Sequence, residues 1–215
     1  MAPHHPFNDT WKKERTLRDG TRVLLRPIRK DDREALRRAF QELSPEGRYR
    51  RFLSAVTEPS EETLTYLTDV DQKDHVAIVA IADSLDLKDE RGVGVARYIR
   101  LRDEPGVAEA AVTVVDAMQN KGLGSILGDE LAKVARANGI SYFRAEVLAS
   151  NEPMRQMLDR IGARTKVRAA PQGDVVVFDV SLEPSSLTVA AQILRAAATS
   201  MTDALRRLIN EGTNA

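Results

Sequence analysis

The spacing of apolar residues changes several times along this chain, and each change marks an element. Met1 to Asp19 is polar and aperiodic apart from Phe7 and Trp11, so it reads as an arm that packs through those aromatics. After the turn Asp19-Gly20, Val23, Leu24, Leu25 and Ile28 predict a strand over Arg22 to Ile28. Asp31 and Asp32 supply N-cap chemistry for a helix with Leu36, Ala39, Phe40 and Leu43 on one face. Ser44-Pro45 opens another, carrying Arg48-Tyr49-Arg50-Arg51-Phe52, and Pro59-Ser60-Glu61-Glu62 opens a third with Leu64 and Leu67 inward.

From His75 the pattern is that of a buried strand, Val76 to Ile81, short, apolar and rich in β-branched residues. Beyond the charged loop Asp83 to Arg91, Gly92 to Leu101 and Val107 to Val115 flank Asp103-Glu104-Pro105-Gly106 and predict two further strands, in a hairpin arrangement with the first. From Gly122 the period turns helical through Leu123, Ile126, Leu127, Leu131, Val134 and Ala135, and stops at Asn138-Gly139. Tyr142 to Leu148 is again a strand. Asn151-Glu152-Pro153 caps a helix with Met154, Met157, Leu158 and Ile161, closed by Gly162; Thr165 to Arg168 and Asp174 to Leu182 form a closing pair of strands around Pro171-Gln172-Gly173.

This order predicts an α+β fold with a mixed, mostly antiparallel sheet flanked by helices. The expected organisation is an arm over residues 1–16, one domain over 17–182 and an added helix over 187–210. In that last helix Leu187, Ala190, Leu194, Ala197, Met201, Ala204 and Leu208 alternate spacings of three and four, which suits either docking on the parent domain or the seam of a homodimer.

Composition narrows the functional classes. With 215 residues, 42% of them hydrophobic, the chain supports one substantial core. Thirty-two basic residues balance thirty-two acidic ones and only 5% are aromatic, so neither nucleic acid nor an anionic membrane is an expected partner. The lack of cysteine removes disulfides, thiolate metal ligands and any covalent cysteine acyl-enzyme. No apolar run reaches the roughly 20 residues that span a bilayer, and no secretory leader is evident, which predicts a cytoplasmic protein.

The chemistry concentrates in Gln119-Asn120-Lys121-Gly122-Leu123-Gly124-Ser125, between a strand and a helix. Backbone N–H groups at a helix start are unpaired and sit at the positive end of the dipole, so they form an anion site. Gly122 and Gly124 permit close approach, Lys121 adds a cation and Ser125 a hydroxyl. The spacing is neither that of a P-loop nor the dinucleotide fingerprint. Gln119-x-x-Gly122-x-Gly124 resembles the acetyl-CoA signature of the GNAT superfamily of N-acetyltransferases, and the element order from about Thr16 to Leu182 resembles that fold. The resemblance implies acetyl-CoA as co-substrate and no metal. It also implies pairing of the Val112 and Val114 backbones with the pantetheine arm, and a diphosphate held by Gln119 through Ser125.

Acyl transfer to an amine needs a neutral nitrogen and a donor for the oxyanion. A lysine with pKa near ~10.4 is neutral in about one molecule in a few thousand at pH 7, equivalent to roughly 4 to 5 kcal/mol, so a general base is expected. Glu109 is the candidate: alternation sets it on one strand face with Ala111, Thr113 and Val115, where small and apolar neighbours would raise its pKa, and GNAT enzymes often place a glutamate there. The alternative is a solvated strand end with Glu109 paired to Arg97 or Arg100. The resemblance further assigns the oxyanion donor to the Val114 N–H, freed by a bulge or splay, and ordering of the cofactor arm to Asn151, which serves equally as an N-cap. Where many relatives carry a tyrosine acid, this chain has Leu158, so either water or another group protonates the thiolate or the thiolate leaves without help. His75, alone at a strand edge, reads as a structural residue.

Leu17-Arg18-Asp19-Gly20 through Arg26-Pro27-Ile28, Leu43-Ser44-Pro45-Glu46-Gly47-Arg48-Tyr49-Arg50-Arg51-Phe52, Asp74-His75-Val76 and Val107-Ala108-Glu109 are similar to the GNAT domain of bacterial Pat-type protein lysine acetyltransferases. The expected partners are therefore acetyl-CoA and an amine acceptor, a protein lysine. A small amine such as an antibiotic or polyamine, or a non-catalytic acyl-CoA sensor, are the competing readings. Arg48, Arg50 and Arg51 are candidates for an acceptor surface or simply a solvated face.

Overall fold

The computed structural model describes residues 7–41, 59–82, 91–148, 156, 164–168 and 175–183. Within them β1 (Lys13–Thr16), β2 (Arg22–Pro27), α1 (Arg33–Gln41), α2 (Glu61–Thr68), β3 (His75–Ala82), β4 (Arg91–Arg100), β5 (Val107–Val114), α3 (Leu123–Ala137), β6 (Tyr142–Leu148), β7 (Arg164–Arg168) and β8 (Val175–Ser181) follow in order. The strands form one eight-stranded sheet, β1-β2-β3-β4-β5-β6-β8-β7. Every pairing is antiparallel except β5 with β6, which is parallel and needs a crossover, here α3. The expected α+β class with a mixed, mostly antiparallel sheet is the observed one.

The two faces of the sheet differ in what they bury. Val76, Ile78 and Ala80 of β3, Ala96 and Tyr98 of β4, and Ala108, Ala110 and Val112 of β5 meet Leu123, Leu127, Leu131 and Ala135 of α3. On the opposite face Ala77, Val79 and Ile81 pack with Ile28 and the half-buried Leu24, Val70 and Val95. β3 is therefore covered on both sides, which explains why it lacks polar alternation. Gly94 allows α3 to lie so close: a Cβ there would come within 2.9 Å of the Thr113 carbonyl and 3.0 Å of Leu127 Cδ1. One residue earlier, the β3–β4 register passes from Ala80↔Gly94 to Ile81↔Gly92, leaving Val93 as a bulge.

Local chemistry matches several of the expected boundaries. The Ser60 hydroxyl caps α2 by accepting from the Thr63 N–H at 3.2 Å, and Leu64 and Leu67 are buried. α3 ends at Asn138 with Gly139 left-handed, φ 81°. Asp32 behaves differently from expectation. It lies in a 3-10 turn (Lys30–Asp32), accepts from the Arg29 N–H and receives both Nη atoms of the buried Arg26 at 2.7 and 2.6 Å.

β1 is an element that hydrophobic patterning does not reveal, since its sequence is Lys-Glu-Arg-Thr. Polar groups hold this edge strand. Lys13 Nζ and Arg15 Nη2 reach Glu130 of α3 at 2.7 and 2.9 Å, with Lys133 Nζ at 3.0 Å, and the Glu130 side chain is only 3% exposed. Just upstream, Trp11 is buried in the main core and Phe7 packs edge-on against it at 5.1 Å. The helices expected at Ser44-Pro45 and over 187–210 lie outside the described residues, as does the one expected at Asn151-Glu152-Pro153 apart from the helical Gln156; so do Arg48, Arg50, Arg51, Asn151 and Leu158.

Candidate active site

The site begins where two strands part. β5 pairs with β6 only at Val107↔Tyr142, Ala108↔Phe143 and Glu109↔Arg144, whereas β6 stays paired to β8 as far as Leu148↔Val175. Beyond Glu109, β5 runs on along β4 while β6 turns to β8, so among the described residues the β5–β6 ladder ends there. The β4–β5 register is continuous, so the opening is a splay and not a bulge. Backbone direction follows from two bonds: the Val107 carbonyl accepts from Leu101 N and the Val115 N–H donates to Val93 O, both towards β4 and its extension. Alternation then directs the backbones of Val112 and Val114 away from β4, into the wedge.

At the mouth of the wedge the chain makes a 3-10 turn (Asp116–Met118) and two left-handed residues, Asn120 with φ 61° and Gly122 with φ 94°. Gly122 is the N-cap of α3, and Ile126 N donates to Gly122 O at 3.2 Å. The N–H groups of Leu123, Gly124 and Ser125 precede that first intrahelical bond and converge at the positive end of a 15-residue helix. Leu123 is itself 1% exposed with its side chain in the core, so it offers the site only backbone. Gln119 Nε2 is tied to Asp116 Oδ1 at 2.8 Å.

The β1–β2 turn closes over this loop. Arg18 N donates to Lys121 O at 3.1 Å, and Lys121 Nζ pairs with Asp19 Oδ2 at 2.9 Å. The Lys121 hydrogen bond, then the Thr21 N–H, hold the Asp19 carboxyl down at about 2.

Glu109 stands on the face away from α3, at the last paired position before the splay, half-buried and with Oε2 shielded from solvent. On the same face, diagonal to it across β4, is Arg97, 5% exposed. Its guanidinium donates to His75 Nε2 at 2.7 Å and to the Leu67 carbonyl at 2.9 Å. Because guanidinium only donates, His75 Nε2 accepts and Nδ1 carries the proton. Burial, and then the Arg97 charge, push the His75 imidazole down to about 3. Burial also lowers Arg97, to about 10, which leaves it charged at neutral pH. The Tyr66 ring lies 5.0 Å from that of His75. Burial pushes the Tyr66 phenol up, opposed by Arg97 and reinforced by Glu109.

The model for the acetyltransferase (GNAT) domain matches residues 22–164, more than half of the chain. The chain belongs to the GNAT acetyltransferase family. It is 37% identical over 154 residues to acetyltransferase PA5475 of Pseudomonas aeruginosa, covering 72% of this chain and 80% of that one. It is 35% identical over 168 residues to acetyltransferase Pat of Mycolicibacterium smegmatis, covering 78% of this chain and 48% of Pat, so it spans about half the length of that relative. Among solved structures, the GNAT domain of S. lividans PAT superimposes with a TM-score of 0.66 at 30% identity, covering 81% of this chain and 99% of that one.

As a GNAT acetyltransferase the protein uses acetyl-CoA as co-substrate, whose thioester supplies the acetyl group. The observed residues fit that molecule: a splayed strand edge for an extended arm, and orphan N–H groups with a left-handed glycine for a diphosphate. Thr113 Oγ1 on β5 is also buried without a hydrogen-bond partner, a group that a bound molecule would satisfy.

The sequence-predicted residues fall in two places. Val112, Val114 and Gln119 through Ser125 gather around the wedge and its mouth, and Glu109 stands at its root. Arg100 is directed elsewhere, to Asp74 Oδ1 at 2.7 Å, the Asn138 carbonyl at 2.6 Å and the Pro105 carbonyl. His75 is the hydrogen-bonded residue expected, and no metal-ligating group occurs among the described residues. Tyr66 and the burial of Arg97 went unforeseen, although Arg97 alternates with Val95 and Ile99 and could have been read as facing the same side.

Proposed function

We propose that this GNAT acetyltransferase passes the acetyl group directly from acetyl-CoA to the ε-amine of a protein lysine, with Glu109 as general base. The observation that carries this reading is the place of Glu109. It is a half-buried carboxylate on the face opposite the diphosphate helix, at the root of the wedge that the acetyl donor would enter. His75 shares that face, but its acceptor nitrogen is occupied by Arg97 and its imidazole is held near 3, so it is ill suited to take a proton at neutral pH.

In this scheme the amine nitrogen attacks the thioester carbonyl as Glu109 takes its proton. The Val114 N–H meets the developing oxyanion, and the C–S bond breaks to release the CoA thiolate. With Leu158 in the place of the usual tyrosine, water protonates that thiolate. The backbones of Val112 and Val114 would hold the pantetheine arm, Gln119, Asn120, Lys121, Gly122, Leu123, Gly124 and Ser125 the diphosphate, and Asn151 the ordering contact. A lysine acceptor is supported by the identity to acetyltransferase Pat and to the GNAT domain of S. lividans PAT.

CoA release measured with lysine-bearing proteins and with a panel of small amines, with mass spectrometry of the products, tests the reading. Acetyl-lysine on protein is expected. Turnover confined to small amines would reassign the acceptor, and acetyl-CoA binding without any turnover would make the protein a sensor.

A further inference from the structure

We propose that Arg18, on the β1–β2 turn, is the cation that meets the diphosphate of acetyl-CoA, while Lys121 acts mainly as a strut holding that turn in place. Lys121 is the obvious cation by sequence, being inside the loop. In the structure, however, its ammonium is neutralised by Asp19 at 2.9 Å, and Asp19 is fixed in turn by the Thr21 N–H at 3.1 Å. Arg18 has the opposite situation. Its backbone N–H is anchored to Lys121 O, while its guanidinium makes no hydrogen bond or ion pair among the described residues.

Position supports the assignment. The Arg18 side chain lies along Gly122, with Nε 3.5 Å, Cγ 3.7 Å and Cδ 3.8 Å from where a Cβ on that residue would stand. Gly122 is the N-cap of α3, so Arg18 Nε stands beside the start of the helix whose first N–H groups are those of Leu123, Gly124 and Ser125. A planar donor fork beside a ring of backbone donors suits two adjoining phosphates better than a point charge does. The φ of 94° is what calls for glycine at Gly122, and the arginine stem rests against it at ordinary van der Waals distance.

The test is direct binding by calorimetry, which needs no acceptor and so stays informative whichever amine is used. Acetyl-CoA and acetyl-pantetheine, which lacks the phosphates, are titrated into wild type, Arg18→Gln, Arg18→Lys and Lys121→Gln. Arg18→Gln should bind acetyl-CoA about 10- to 100-fold more weakly, the factor of one charge-assisted hydrogen bond, and acetyl-pantetheine as wild type does. Arg18→Lys should recover part of the loss, and Lys121→Gln should cost less than Arg18→Gln. Unchanged acetyl-CoA affinity in Arg18→Gln, an equal loss for both ligands, or a larger loss in Lys121→Gln would overturn the assignment.

Discussion

The neutral histidine on the same sheet face as Glu109 makes stability depend on pH in a way that can be worked out. His75 titrates near 6.5 when unfolded and near 3 in the folded protein, where burial and Arg97 disfavour its charge. A lowered histidine pKa means that below about 6.5 the unfolded chain takes up a proton that the folded chain refuses, so folding weakens as pH falls. From pH 8 to pH 5 the unfolded state gains about 2 kcal/mol from this group alone, with a limiting slope of about 1.4 kcal/mol per pH unit. His75→Gln keeps an acceptor for the Arg97 guanidinium and cannot titrate. Urea unfolding of both proteins at pH 8, 6 and 5 gives the comparison. The wild type should lose about 2 kcal/mol more than the variant over that range. Parallel pH profiles would refute the reasoning, because they would mean that His75 is protonated as readily in the folded protein as in the unfolded chain.

Three other substitutions probe what positions the site. Gly94→Ala drives a methyl group against the Thr113 carbonyl and Leu127, so it should cost about 1–3 kcal/mol in urea unfolding and weaken acetyl-CoA binding by displacing the start of α3. Asp32→Asn removes the carboxylate that meets both Nη atoms of the buried Arg26 and should cost about 1–3 kcal/mol, read as a lower urea midpoint at neutral pH. Glu130→Gln should cost about 1–3 kcal/mol, since Lys13 and Arg15 can return to water. Burial pushes the Glu130 carboxyl up, but hydrogen bonds from Lys13, Lys133 and Arg15 outweigh it and leave it lowered. Its stabilisation is therefore present above the ordinary carboxylate range and lost as pH falls through the folded value, a loss that calorimetric melting should show in wild type and not in Glu130→Gln.

Much of this arrangement is written in the sequence. The apolar runs of β3 and β5, the helical period from Gly122 and the left-handed positions at Gly122 and Gly139 follow from local chemistry, and so does the glycine-bearing loop between β5 and α3. What stays hidden depends on long-range pairing. Nothing in Tyr142 to Leu148 says that β6 leaves β5 after Glu109, because that is decided by its partnership with β8. β1 escapes notice because it is held by charges on a helix more than a hundred residues away, as in the 117-residue separation of Lys13 and Glu130. Glu130 is hidden for the same reason, since a charged helical position reads as outward until three cations are brought to it. Lys121 shows a third limit: sequence places a cation in the loop but cannot say that Asp19 will neutralise it.

The role given to Glu109 is tested most directly by pairing kinetics with binding. Glu109→Gln and wild type are compared for acetyl transfer to a lysine-bearing protein and, by calorimetry, for acetyl-CoA affinity. Loss of a general base predicts a kcat lower by about 100-fold or more with acetyl-CoA affinity nearly unchanged. A Glu109→Gln enzyme that turns over at the wild-type rate, or one that loses acetyl-CoA binding in step with its rate, would contradict the account.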